Sequence, residues 1–207
     1  MKVLLINGSP HEQGCTWRAL TEVAGALEKN GIETELLWIG AGDVRGCSAC
    51  GGCSATGRCV FGEDKVNEAI DRMQQCDALV VGAPVHYASP AGAMLSFLDR
   101  MFYAAGGTMA NKPGAAVVSA RRAGTTASLD ALTKYFTISN MPLVSSCYWA
   151  MVHGGNAAQV EQDLEGLLVM RRLGDNMAWL LRCIEAGKAA GVALPVPEPR
   201  VWTNFIR

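Results

Sequence analysis

Four cysteines stand within residues 46–59, "GCSACGGCSATGRC": Cys47, Cys50, Cys53 and Cys59, separated by two, two and five residues. Thiolates at that spacing have four chemistries open to them. They can ligate an iron-sulfur cubane, hold zinc, close as a disulfide redox pair, or remain the free thiols of a loop that binds nothing. Short spacers with Gly51 and Gly52 let successive thiolates turn inward around a compact cluster, and backbone amides in such a loop can donate to its sulfurs. Zinc more often takes two C-x-x-C knuckles separated by a long insertion, because the pairs approach one ion from opposite sides. The other four cysteines, Cys15, Cys76, Cys147 and Cys183, are scattered. For Cys76 and Cys183 the expectation is that of a small buried hydrophobe.

Three further stretches offer polar groups in short loops. "NGSPHEQGCT" follows an apolar run and opens a helix, so its amides and hydroxyls converge on a helix N-terminus, an anion site. It lacks the lysine and glycine spacing of a phosphate loop that transfers phosphoryl groups, and it lacks G-x-G-x-x-G. A single non-reacting phosphate could be held by Ser9, Thr16 and the amides near Gly14 and Cys15. "APVHYASPAG" presents Pro84, Val85, His86, Tyr87 and Ala88 as a mixed apolar and aromatic wall suited to a planar ring. "SARRAGTT" presents Ser119, Ala120, Arg121, Arg122 and Gly124 opposite, where the arginines could stabilise negative charge. No Ser-His-Asp or Cys-His arrangement stands out, and the three histidines have no metal spacing.

These loops need a scaffold, and short apolar runs alternating with helical periodicity describe one: a parallel sheet with crossover helices. "KVLLING", "ETELLWIG", "DALVVGAPV", "KPGAAVVSAR" and "PLVSSCYWAMV" read as five strands. The helix after the first carries Trp17, Leu20, Ala24 and Leu27 on one face; the second, Val66, Ile70 and Met73; the third, Met94, Leu98, Met101 and Phe102. Residues 157–186 read as one amphipathic helix with a stripe of Leu164, Leu167, Leu168, Leu173, Met177, Leu180, Leu181 and Ile184. The fold class expected is α/β, a three-layer, doubly wound, five-stranded parallel sheet of flavodoxin-like type in the order 2-1-3-4-5, which binds ligands at the carboxyl ends of its strands. Residues 1–190 form one domain in this reading, and the tail 191–207, with Trp202, Phe205 and Ile206, packs on the surface or on a partner subunit.

A formal charge of −1 over 207 residues, without a basic or acidic block, removes the electrostatic footprint that nucleic acid or an anionic membrane would need. The apolar run at the start is too short for a secretory signal, and no stretch reaches the length of a membrane span. A cytoplasmic protein with small-molecule partners is expected, and a disulfide framework is disfavoured in that compartment.

Taken together and in order, "NGSP...GCT", "APVHYASPAG...FLDR" and "SARRAGTT" resemble the NAD(P)H-dependent FMN reductase family of the flavodoxin-like fold, over nearly the whole chain. The resemblance implies that Ser9, Cys15 and Thr16 lie around the FMN phosphate, that Pro84, Val85, His86, Tyr87 and Ala88 line the isoalloxazine, and that Ser119, Ala120, Arg121, Arg122 and Gly124 close its far side. Cys15 stands where the family more often has Asn or Ser, and no lysine occurs between Gly92 and Asp99. The spacing of Cys47, Cys50, Cys53 and Cys59 after the second strand resembles the iron-sulfur flavoprotein branch, which implies a [4Fe-4S] cluster as metal group. The implied activity is that of an FMN-dependent oxidoreductase taking hydride from NAD(P)H and reducing a flavin, quinone or similar acceptor. The alternative is an electron carrier in which FMN exchanges single electrons with the cluster. Tyr87 and Trp149 are candidates for the open ring face, no side chain is required as a catalytic base, and a homodimer or homotetramer is implied.

Overall fold

The computed structural model describes residues 1–199, 201–203 and 205. The central strands form where apolar residues run nearly unbroken, the pattern of a sheet covered on both faces. The strands are β1 (Lys2–Asn7), β2 (Glu33–Trp38), β3 (Ala78–His86), the two-residue β4 (Ser89–Pro90), β5 (Gly114–Ala120) and β6 (Met151–His153). The main sheet runs β2-β1-β3-β5-β6, all parallel, and β4 pairs antiparallel with β3 alone. With β4 set aside, this is the expected 2-1-3-4-5 order in a six-stranded sheet.

The helices are α1 (Cys15–Lys29), α2 (Val66–Gln74), α3 (Gly92–Ala105), α4 (Thr125–Ile138), α5 (Ala157–Val160) and α6 (Leu164–Ala189). Alternate residues of each strand feed two cores. Leu4, Ile6, Leu79, Val81 and Val118 pack under α2, α3 and α4, while Val3, Leu5, Val80, Ala115 and Val117 pack under α1 and α6. The three layers follow from that alternation.

Five details differ from the expectations. The fifth strand shrinks to Met151–His153 plus one bridge between Gly114 and Leu143. The segment before it gives its polar groups to α6 instead: Ser146 Oγ donates to the Val169 carbonyl at 2.6 Å, and Asn176 Nδ2 to the Ser145 carbonyl at 2.8 Å. The single helix over 157–186 is two helices, each with its own cap: Asn156 Oδ1 accepts from the Gln159 amide and Asp163 Oδ1 from the Gly166 amide, both at 2.9 Å. Within α6, Leu167, Leu173, Met177 and Leu181 are buried, but Leu164 and Leu168 are exposed, and Cys183 lies exposed on its outer face whereas Cys76 is buried. On α1 the buried face is Ala19, Leu20, Val23 and Leu27, with Trp17 and Ala24 only partly covered.

No helix among the described residues is long and apolar enough to cross a membrane. In the tail, Leu194 joins Met1, Lys112, Leu181 and Ile184 around a surface cavity, while Val196, Trp202 and Phe205 are largely exposed. Ile206 lies outside the described residues.

Candidate functional site

The carboxyl ends of β1, β3 and β5 bring the three polar loops to one edge of the sheet. Asn7, fully buried at the end of β1, shapes the first loop: its Oδ1 accepts from the Ser9 amide at 3.1 Å and its Nδ2 donates to the Glu12 carbonyl at 2.9 Å. Ser9 Oγ in turn accepts from the His11 amide, and Trp38 Nε1 donates to the Ser9 carbonyl at 2.8 Å. Helix α1 then begins at Gly14 with no side-chain cap, which leaves first-turn amides to an outside acceptor. Neutral donors beside an uncapped helix start fit a phosphate held but not cleaved.

Thr16 and Ser119 are both buried, and their hydroxyls meet at 2.9 Å, joining the first loop to the third. The Cys15 thiol donates to the Gly154 carbonyl at 3.4 Å, and burial raises its pKa above the ordinary thiol value. At that position only the backbone is left to face a phosphate.

The second loop is a two-residue hairpin. His86 pairs with Ser89, and between them Tyr87 and Ala88 both adopt positive φ, +51° and +60°. Two successive left-handed residues are the signature of a type I′ turn, in which non-glycine residues carry strain. The turn throws Tyr87 fully into solvent. Gly124 closes the third loop against it: its φ is +95°, and a Cβ there would stand 2.6 Å from Ala88 Cα. Pro84 and Val85 are half-buried behind the turn, His86 and Ala88 are exposed, Ser119 and Ala120 are buried, and Arg121 and Arg122 reach solvent. His153 Nε2 lies 3.1 Å from the Arg122 carbonyl, while the His153 amide donates to Asp163 at 2.6 Å. Trp149 is exposed and stacks edge-on with Tyr148 at 4.9 Å between ring centroids.

The cysteines form a second centre. Cys47, Cys50, Cys53 and Cys59 all line one cavity of about 150 Å³, floored by Arg100 and Tyr103 of α3. No three His, Cys, Asp or Glu side chains among the described residues gather around a single metal-ion position. Four cysteines on one cavity supply the donor set that an iron-sulfur cluster uses.

Side chains rather than ladders hold this loop. Asn67 clamps Cys59 by both backbone groups, accepting its N–H and donating to its C=O, each at 2.9 Å. Arg100 is 2% exposed, the largest of the fully buried side chains. Its Nε donates to Cys59 Sγ at 3.2 Å, its Nη1 to the Arg45 carbonyl at 3.3 Å and to the Asp64 carboxylate, and its Nη2 to the Phe61 carbonyl at 2.6 Å. Burial opposes its charge, but the bonds to Asp64 and Cys59 outweigh that and hold the guanidinium above its ordinary pKa. From Gly92, beside the hairpin, to Arg100 is eight residues of helix, about 12 Å at 1.5 Å per residue.

Asn7, Trp38, Asn67, Arg100 and His153 were not among the candidates read from sequence. Two of them were signalled there. Asn7 ends an otherwise apolar strand, and Arg100 follows Phe97 by three residues, inside the apolar stripe of α3, where a charge demands partners.

Residues 1–156 match the family model described as NADPH-dependent FMN reductase. An iron-sulfur flavoprotein of Methanocaldococcus jannaschii is 28% identical over 193 residues, 89% of this chain and 100% of the relative. One from Methanosarcina thermophila is also 28% identical, over 91% of this chain and 99% of its own. Among solved structures, a flavone reductase superposes with a TM-score of 0.70 at 15% identity, covering 89% of this chain and 64% of that one. An archaeal flavodoxin gives 0.60 at 14%, covering 88% and 99%. Those two structural likenesses concern the fold.

Proposed function

The chain belongs to the NADPH-dependent FMN reductase family, and from that premise we propose that it is an FMN-dependent oxidoreductase drawing hydride from NADH or NADPH and passing electrons to a small-molecule acceptor, with a [4Fe-4S] cluster on Cys47, Cys50, Cys53 and Cys59. The observation that carries the reading is the pairing, in one chain, of an uncapped helix start and strained hairpin at the sheet edge with four cysteines lining one cavity. Bound FMN would supply the exchange between hydride and single electrons, and a cluster a one-electron relay.

The protein's own part is placement. The first turn of α1, with Ser9 and Thr16, holds the phosphate. Pro84, Val85 and the hairpin back the ring, the loop Ser119, Ala120, Arg121, Arg122 and Gly124 closes its far side, and Arg121 and Arg122 offset negative charge on a reduced ring. Tyr87 stands at the open face. The names of the curated relatives favour a second reading, a carrier that exchanges single electrons only.

Anaerobic purification with an absorbance spectrum, iron and sulfide analysis, and an NAD(P)H oxidation assay with quinone or free flavin tests both. Flavin, iron and turnover are the expected result. Flavin and iron without turnover leave the carrier, and a protein without flavin overturns both. Assembly as a homodimer or homotetramer is part of the proposal, supported by exposed Trp149, Leu164, Leu168 and Trp179; a monomer by light scattering at micromolar concentration removes it.

A further inference from the structure

Arg100 is a buried cation whose four hydrogen bonds all go to the cysteine-bearing segment. They take hold of it before the first cysteine, at the Arg45 carbonyl, at the last cysteine, Cys59, and beyond it, at Phe61 and Asp64. Phe61 is covered in turn by the Arg45 guanidinium, 4.0 Å from its ring centroid. The guanidinium therefore closes both ends of the loop over α3 and leaves one N–H pointed at a sulfur. A fork of five donors in fixed geometry can do this; a lysine ammonium cannot satisfy the same four acceptors.

We propose that Arg100 is a positioning residue for the iron-sulfur group, fixing Cys59 and raising the reduction potential of the metal group bound there. The inference rests on the cluster reading above. Reduction adds one electron to the cluster and neither makes nor breaks a bond at Arg100 or Cys59. The added negative charge is stabilised by an N–H···S bond from a cation that is 2% exposed, where a hydrogen bond and a charge both act through a low local dielectric. Asp64 offsets part of that charge but does not face the cysteine sulfur through the guanidinium Nε.

The test compares the full-length wild type with Arg100→Lys and Arg100→Met, all purified anaerobically. Iron and sulfide per chain, FMN absorbance, and the cluster midpoint potential by redox titration followed by electron paramagnetic resonance are measured. Both variants are expected to keep FMN. Arg100→Met should bind less iron and shift the midpoint to more negative values, with the one-electron reduction constant falling about tenfold, equivalent to about 59 mV. Arg100→Lys should lie between, because it keeps the charge and loses the fork. A merely structural role would lower iron content and leave the potential of the remaining clusters unchanged, and that result overturns the inference. If Arg100→Met yields no soluble flavoprotein, the midpoint of Arg100→Lys decides alone. A wild type without iron and sulfide removes the cluster reading and this inference with it, whereas a clustered wild type whose variants keep its potential removes only the inference.

Discussion

The sheet edge proposed for the flavin and the cysteine loop are both built from turns after strands, yet regular structure holds them to different degrees. At the flavin edge, three loops leave three strands whose ladders fix their starting points, and the loops meet by short contacts: Thr16 with Ser119, and Gly124 with Ala88. The cysteine loop leaves β2 at the sheet's border and has only a 3-10 turn, Gly52–Ser54, as regular structure. Its form depends on two side chains from helices, Asn67 and Arg100. Buried side chains serve both, but Asn7, Thr16 and Ser119 hold loops whose starts the strands already fix, whereas the cysteine loop has little else to hold it when one of its side chains goes.

The largest break of this comparison is expected at the thiols. Cys50→Ser should reduce bound iron to near zero and leave FMN stoichiometry unchanged, read by iron analysis and flavin absorbance; equal iron in both proteins would reject Cys50 as a ligand. Next comes the floor of the loop. Asp64→Asn leaves Arg100, whose side chain is 1% exposed, without its carboxylate. Breaking a buried pair on one side costs about 3 kcal/mol, which for a chain of this size lowers Tm by roughly 6–12 °C. Calorimetry checks it, and an unchanged Tm would mean that the loop's anchoring is exposed to water and not part of the core.

The two regions also differ in how legible they were. The placement of the three sheet-edge loops was readable because each sits at a fixed offset from a buried strand: Ser9 two residues after β1 ends, Pro84 inside β3, Ser119 inside β5. The cysteines were readable as a group, but what holds them was not, since Arg100 reaches back across more than forty residues of chain to Cys59. The overlong fifth strand has a similar cause. Residues 142–150 have strand composition, and it is Asn176 and the Val169 carbonyl of a later helix that take up their polar groups. The break between α5 and α6 was open to reading, because Asn156 and Asp163 each stand three residues before the amide they cap.

A change confined to the flavin edge sharpens the contrast from the other side. Gly124→Ala places a Cβ 2.6 Å from Ala88 Cα at a φ of +95°. Left-handed strain of about 1–2 kcal/mol together with displacement of the hairpin should weaken FMN binding by about 2 kcal/mol, roughly 30-fold, measured by flavin fluorescence titration. Iron content should not move. Parallel loss of iron would show that the two centres are coupled through α3, whose start follows the hairpin and whose later turns floor the cavity.

The smallest effect expected is a pH dependence on the flavin side. Glu22, on the helix that begins at the phosphate loop, pairs with Arg18 at 2.7 Å and with Arg171 of α6. Burial would raise its pKa, but the hydrogen bonds from Arg171 and Arg18 outweigh burial and hold it below the ordinary glutamate value. A carboxyl depressed in the folded state binds its proton more readily when unfolded. Its contribution is therefore complete above the unfolded pKa and is lost as pH falls through the ordinary glutamate range and below it. Glu22→Gln should flatten the fall of Tm below about pH 5 by an amount worth under about 1 kcal/mol, since Arg171 is half-exposed and such pairs are screened. The cysteine loop has its own pair, Arg58 with Asp71, both about half-exposed, and Asp71→Asn should lower Tm far less than Asp64→Asn does, since exposed pairs are worth under about 1 kcal/mol. An equal or larger fall at Asp71 would mean that this surface pair, and not only Asn67, fastens the loop to α2.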